Sequence, residues 1–421
     1  MPASQPIKAT RGVRDIPPAE WAGPWRIVIG QASESAESYG YQPIETAVIE
    51  PAELVERGVG GSTDIVTKEM FRFQDRGERW LVLRPEFTAG TVRAYFETGL
   101  NQGPQPARLY SVGPSFRAER PQKGRYRQFF QFNVEAIGDE SPALDAELIE
   151  MAWNWLGGLG LGEVSLQVNS VGDGRCRPAY RQALLEYFRP LKDQLSHDSQ
   201  ARLEVNPLRV LDSKEDQRFV EGAPRITDHL CDECRAAFEE VKRLLSSAHI
   251  PHTVNPRIVR GLDYYTRTAF EIHHQLIGGA QNALCGGGRY DGLAEELGWP
   301  STPGVGFAAG LDRIVSALRS ENIEIVAPPA AEVIVVPDGY QADAAAAVGR
   351  LCRQALPTWV DYSDRSLKAK MRAAGKLGAR WAAIFNAEEA GRKVVQLRDL
   401  NAGEQREVAW EGLPAALAEL P

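Results

Sequence analysis

The chain has 421 residues, of which 43% are hydrophobic and 25% charged, with a formal net charge of -8. That is the profile of a soluble globular protein of about two or three domains, each large enough to bury a core. No apolar run approaches the roughly 18 residues that a membrane helix needs, and the acidic balance argues against broad coating of nucleic acid, although a local basic patch can still meet phosphates. The opening segment, MPASQPIKATRGVRD, lacks the apolar stretch of a secretory signal. The pattern then predicts a helix near 23–39, a strand around 46–49, and strands at 69–73 and 80–84 on either side of the turn-rich QDRGER. A helix is expected from Thr88, followed by strands at 107–116 and 129–137 joined by the charged loop RAERPQKGRYRQ. Strands that arrive without regular helical spacers point to an antiparallel sheet rather than a doubly wound one.

Helical periodicity returns at 145–155 and a strand follows at 163–169. Residues 178–250 have a different texture, charged and broken by prolines, and read as a mostly helical insertion that closes with a helix at 234–246. A long strand is expected at 258–272, and ALCGGGRYDGL leads on to GVGFAAGLDRIVSAL. The first domain is therefore placed at 1–325, an Ala- and Pro-rich linker at 326–332, and a small α/β domain of alternating strands and helices at 333–421.

Three segments concentrate polar chemistry. VRGLDYYTRTAFEI crowds charges and two adjacent phenols into a strand-like run, which is wasteful for packing and reads as the floor of a polar pocket. The loop after 116 carries Arg117, Glu119, Arg120, Lys123, Arg125 and Arg127; arginine forks suit phosphate oxygens, while a solvated charged turn is the plainer alternative. The strand after it puts Gln131, Asn133 and Glu135 on one face by its period of two. Glu86 and Thr88, in LRPEFTAG, either hold an amino group or simply start a helix.

GGGRYDG is neither a dinucleotide fingerprint nor a Walker loop, and the glycines of GVGFAAGLDR serve a phosphate near Arg313 or tight packing equally well. Five cysteines do not form a disulfide framework, which favours a reducing, cytoplasmic setting. Cys231 and Cys234 form a CxxC with His229 nearby, but no second pair follows at zinc spacing, so they read as part of a turn and helix start and no protein-bound zinc is expected. His273 and His274, adjacent on a strand, face opposite ways and cannot share a metal. Near the C-terminus, Arg365, Lys368 and Arg372 share a basic helical face that either meets a phosphate backbone or is merely solvated.

Taken in order, GSTDIVTKEMFRF, LRPEFTAG, FRAERPQKGRYRQFFQFNVEAIG, VRGLDYYTRTAFEI, LCGGGRYDGL and GVGFAAGLDR resemble segments of the histidyl-tRNA synthetases, and RGVRDIPP and DRSLKAKMRAAGKLGA extend the likeness to both ends. The resemblance implies an α+β class II synthetase catalytic domain, a six-stranded antiparallel sheet flanked by helices, with a helical insertion and a C-terminal α/β anticodon-binding domain. It implies activation of L-histidine by ATP, with Mg²⁺ accompanying the nucleotide, transfer to tRNA(His), and a cytoplasmic homodimer. Arg117 and Arg313 match the family's ATP phosphate ligands in motifs 2 and 3, with Glu119 beside the nucleotide, and Arg260 matches the arginine near the carboxylate and α-phosphate. Glu86, Thr88 and Gln131 match ligands of the amino acid, Glu135 and Tyr265 match readers of the imidazole, and Tyr264 and Tyr290 belong to the same pocket. Arg120 and Gln122 fall in the loop that meets the tRNA acceptor end.

The chain departs from the family pattern at Ala47, where motif 1 usually has proline, and at Asp312, where glutamate is usual. Phe87 replaces a glycine and is expected to intrude near the amino-group site. Two other readings are a regulatory subunit of a histidine-biosynthetic phosphoribosyltransferase and a non-catalytic RNA-binding module. The first would lack the C-terminal domain, and both would have lost site residues that are retained here.

Overall fold

The computed structural model describes residues 7–419 apart from 62, 121–123, 205, 214, 259–263 and 279–281. Arg260, Gln122 and Lys123 lie outside the described residues. Two compact units are formed, Met1–Ile325 and Val326–Pro421. In the first, the strands are β1 (Gln42–Pro43), β2 (Ile49–Pro51), β3 (Phe71–Gln74), β4 (Trp80–Leu83), β5 (Ala107–Phe116), β6 (Gln128–Ile137), β7 (Val164–Ser170), β8 (His252–Val254), β9 (Thr266–His274), β10 (Ala283–Arg289) and β11 (Gly304–Gly310).

The main sheet runs β1-β5-β6-β11-β10-β9-β7-β8. Its six central strands pair antiparallel, and the short edge strands β1 and β8 each add on parallel. The expected six-stranded sheet is thus the centre of a sheet of eight. A separate three-stranded sheet, β2-β4-β3, is built from the chain between β1 and β5. The strand expected at 46–49 begins only at Ile49, where pairing with Leu83 starts.

Helices Arg26–Ser38, Pro142–Gly158 and Leu311–Ser320 bury Val28, Ala32, Leu148, Ala152, Ile314 and Leu318 in the same core as Phe132, Phe270 and Phe307 of the main sheet. One buried cation fastens strand to helix. Arg289, at the end of β10, donates to Asp145 at 2.5 and 3.0 Å and to the carbonyls of Asp139 and Ser141. A pair this deep survives only because nearly every donor is used. The arginine of GGGRYDG is therefore structural.

Between 178 and 250 the described residues are mostly helical, from the helix Arg177–Phe188 to the helix Asp232–Ser247. The stretch up to Leu230 carries its own apolar core around Tyr180, Leu184, Phe188, Leu203 and Leu211, whereas helix Asp232–Ser247 buries Phe238, Val241 and Leu245 in the core of the main sheet.

In the second unit β12 (Val333–Pro337), β13 (Thr358–Val360), β14 (Trp381–Phe385), β15 (Val394–Asp399) and β16 (Gln405–Ala409) form a sheet of order β13-β12-β14-β15-β16. Its first three strands are parallel and its last two pairings antiparallel. Helix Leu367–Leu377 carries Lys368 and Arg372 on the exposed side, with exposed Arg365 just ahead of it and tied to Asp361 at 2.8 Å. Lys370 is fully buried and donates to the carbonyls of Pro337 and Gly339. That lysine is a strut rather than part of the charged face.

Candidate active site

A cavity opens over β6, β10 and β11. Its lining includes Glu86, Thr88, Arg117, Glu119, Arg125, Gln131, Tyr264, Tyr265, Tyr290 and Arg313. Residues from five separated stretches of sequence therefore meet in one place. The antiparallel sheet brings them there: β6 pairs with β11, setting Gln131 opposite Gly310 and Glu135 opposite Gly306.

One end of the cavity is cationic. Arg313, in the first turn of the helix after β11, donates to the carbonyl of Ala283 at 2.7 Å. Burial, together with the neighbouring charges of Arg125 and Arg117, pushes its pKa down, against the opposing charges of Glu119 and Glu271. Arg117 donates to the carbonyl of Pro85 at 3.1 Å and its guanidinium lies 5.3 Å from the centre of the Phe129 ring. Glu119 pairs with Arg125 at 2.9 Å, so the loop is partly neutralised from within. Arg120 is exposed to solvent.

The loop is also held from outside. Arg127 donates its backbone N–H to the carbonyl of Gly12, and Arg14 lies 5.0 Å from the Tyr126 ring. Arg14 bonds Asp312, whose other oxygen accepts from the backbone N–H of Phe130 at 3.2 Å. Asp312 thus joins the opening RGVRD segment to β6, a role that the sequence alone did not reveal.

The other end is lined by phenols and carboxyls. Glu86 is buried and its oxygens accept from the backbone N–H groups of Thr88 at 2.7 Å and Ala89 at 3.0 Å, capping helix Thr88–Glu97. Glu86 thus starts a helix and also faces the cavity. The Thr88 hydroxyl donates to Glu135 at 2.6 Å and the Tyr290 hydroxyl donates to its second oxygen at 2.5 Å. Glu135 is not itself part of the lining but sits directly behind those two side chains. Burial pushes its carboxyl up to about 8, against which the two hydroxyl bonds work. Tyr264 and Tyr290 are held well above the ordinary phenol range, chiefly by burial. Gln131 accepts a bond from Ser115 at 3.0 Å.

Glycine is required behind this end. A Cβ on Gly306 would lie 1.8 Å from a Glu135 oxygen, so the strand next to β6 can pass only without a side chain.

Tyr264 and Tyr265 line the cavity from a turn ahead of β9, not from the strand on which the sequence placed them. Their rings stand 4.8 Å apart, and Tyr264 lies 5.8 Å from Tyr290. Phe87 does not intrude. It is fully buried and turned beneath Arg84, whose guanidinium is 3.8 Å from its ring, in space left by Gly113. Phe129 and Phe130, also in the lining, were missed; the signal was there, since Phe129 shares the Gln131 face at period two.

Residues 12–314 match the family model described as histidyl-tRNA synthetase, and residues 331–420 match the anticodon binding domain. The chain is 48% identical to a histidine–tRNA ligase of Desulforamulus reducens over 407 residues, covering 96% of this chain and 97% of that one. It is 46% identical to the Desulfitobacterium hafniense ligase over 406 residues, 96% and 95% of the two chains. Among solved structures, the apo S. aureus histidyl-tRNA synthetase superposes with a TM-score of 0.82 at 36% identity, over 98% of this chain and all of that one.

Proposed function

The chain belongs to the histidyl-tRNA synthetase family, and from that premise we propose how its cavity divides the reaction between its two ends. The enzyme is a histidine–tRNA ligase, joining L-histidine to ATP as histidyl-adenylate with release of pyrophosphate and then passing histidine to the 3′ end of tRNA(His). The observation that carries the division is the gathering of Arg117, Arg125 and Arg313 at one end, with the phenols and carboxyls at the other.

Arg117 and Arg313 take the phosphates of ATP, with Glu119 at their side. A histidine carboxylate oxygen attacks the α-phosphorus in line, the bond to the β-phosphate bridging oxygen breaks, and pyrophosphate leaves. Charge growing on the phosphoryl oxygens is met by guanidiniums already fixed in place, so little reorganisation is needed. Arg260, by its match to the family arginine, joins them at the α-phosphate. Glu119, a lining carboxylate on the arginine side, would hold the Mg²⁺ that accompanies ATP, which would supply further positive charge there. No protein nucleophile is required. The terminal adenosine hydroxyl of the tRNA then attacks the adenylate carbonyl and AMP departs.

Glu86, Thr88 and Gln131 hold the α-amino end of histidine, and Glu135 with Tyr265 reads the imidazole, Tyr264 and Tyr290 closing the pocket. A site built to pair both ring nitrogens rejects a side chain lacking them, because its own buried donors and acceptors would be stranded. Arg120 and Gln122 meet the acceptor end of the tRNA, and Arg365, Lys368 and Arg372 its anticodon arm. Catalysis falls to residues 1–325, including the insertion 178–250, and anticodon binding to 333–421. The enzyme works as a homodimer in the cytoplasm. Support for pairing comes from the small β2-β4-β3 sheet, which leaves Ile49, Phe73 and Trp80 between 38% and 52% exposed.

ATP–pyrophosphate exchange on the purified protein, run with each of the 20 amino acids, tests the reading. Exchange with histidine alone is expected. Exchange with a different amino acid, or with none in folded protein, would overturn it.

A further inference from the structure

The helical insertion enters and leaves the main unit through a narrow neck, and four donor side chains meet there. Asp173 and Cys176 lie between β7 and the helix Arg177–Phe188, where the chain enters. Cys231 and Cys234 lie at the start of helix Asp232–Ser247, where it leaves. One carboxylate oxygen and three sulfurs, one from each residue, all fall within 4.8 Å of one another. We infer that this neck is a structural zinc site, with Asp173, Cys176, Cys231 and Cys234 as its four ligands.

The donor set decides the class of metal. Three thiols select a soft or borderline cation over magnesium or calcium, and four ligands with no further donor in the group match a closed tetrahedral zinc site. With Zn–S bonds of about 2.3 Å, sulfurs in a tetrahedral site sit about 3.8 Å apart, so the group need contract by only about an ångström.

The backbone is prepared for that geometry. Gly172 adopts φ +64°, and a Cβ there would stand 2.7 Å from the Cys176 Cβ, so the turn can bring Cys176 round only with glycine at that position. The Cys176 sulfur accepts from the backbone N–H of Cys231 at 3.1 Å, and Cys176 and Cys231 each occupy the position just before a helix. Helix N-termini favour thiolates. Arg175 donates to the Asp173 carboxylate at 2.8 Å.

The sequence reading expects no zinc because no second cysteine pair follows the CxxC. The structure supplies the other two donors from the opposite end of the insertion. His229, the neighbour in sequence, is not in the group and packs instead against Tyr180.

The metal would pin both ends of the inserted segment, whose small core includes Cys176 and Cys234 themselves. The test is metal analysis of the full-length protein, expressed with zinc and purified under reducing conditions. About one zinc per chain is expected, lost in Cys176→Ser and Cys234→Ser, retained in Asp173→Cys, and unaffected in Cys352→Ser, whose cysteine is buried in the other unit. Because the serine variants can fail to fold, the wild-type protein is also stripped with a chelator and refilled with cobalt. The visible absorption of tetrahedral cobalt–thiolate and chelator-dependent cleavage within 178–230 would support the site. Reduced protein that carries no zinc and gives no cobalt spectrum, or a disulfide among the three cysteines, would overturn it. Histidine-dependent exchange, measured alongside, reports separately on catalysis.

Discussion

At one end of the cavity Arg117, Arg125 and Arg313 repel one another, with Glu119 and Glu271 as the opposing charges. At the other, Glu86 and Glu135 are wrapped in neutral donors, two backbone amides for the first and two hydroxyls for the second. The first end is electrostatically unfinished and is completed by an anion. The second is complete by itself, and a ligand must enter an existing hydrogen-bond network. Affinity for ATP is therefore expected to follow charge, and selection of histidine to follow the placement of hydroxyls and one buried carboxyl.

Removing Arg313 should break that contrast most severely. Arg313→Gln is expected to lower exchange by roughly two to three orders of magnitude, the scale of one preorganised stabilising group. The unliganded protein should keep its melting temperature, because the charge removed is disfavoured there by burial and by Arg125 and Arg117. Equal loss of stability and activity would make Arg313 a packing residue. Glu135→Ala should be smaller and selective, raising the KM for histidine about ten- to a hundredfold, the range for stranding a buried donor or acceptor, with the KM for ATP little changed. Parallel loss of both would assign Glu135 a structural role.

The smallest effect is on the pH dependence of stability. The folded unliganded protein holds the Glu135 proton up to about 8, whereas the unfolded chain releases it near 4.5. Between those values the folded state binds more protons than the unfolded one, so this group makes stability fall as pH rises, with no effect below the window and a constant cost above it. Glu135→Gln removes the titration. Its stability relative to the parent, from urea unfolding, should improve between about pH 5 and pH 8 and then level off. A difference independent of pH would mean that the carboxyl is ionised throughout.

The two ends were also unequally legible in the sequence. Gln131 and Glu135 were readable because apolar and polar residues alternate from Phe130 to Glu135 in β6, and β5 was bounded correctly at Ala107–Phe116. Tyr264 and Tyr265 were recognised as pocket residues yet put on a strand, since a period of two does not say where pairing begins. In the structure the first partner of β9 is Thr266, opposite Arg289. Phe87 read as an obstruction because nothing local reveals that Gly113, on another strand, leaves room beneath Arg84. Asp312 and Arg14, like Asp173 and Cys176 with the CxxC, meet across long stretches of chain. Such pairs are dictated by topology, which no local spacing encodes.

Gly306 carries a consequence for anyone transplanting this pocket. The volume that its side chain would fill is already occupied by the Glu135 carboxyl. The buried carboxyl thus depends on a hydrogen atom on the adjacent strand as much as on the hydroxyls that bind it. Alanine at 306 would touch no ligand and remove no charge, yet it would evict the carboxyl. A graft that copied every polar residue into another antiparallel sheet, and left an ordinary side chain at that one position, would carry the chemistry without the space to hold it.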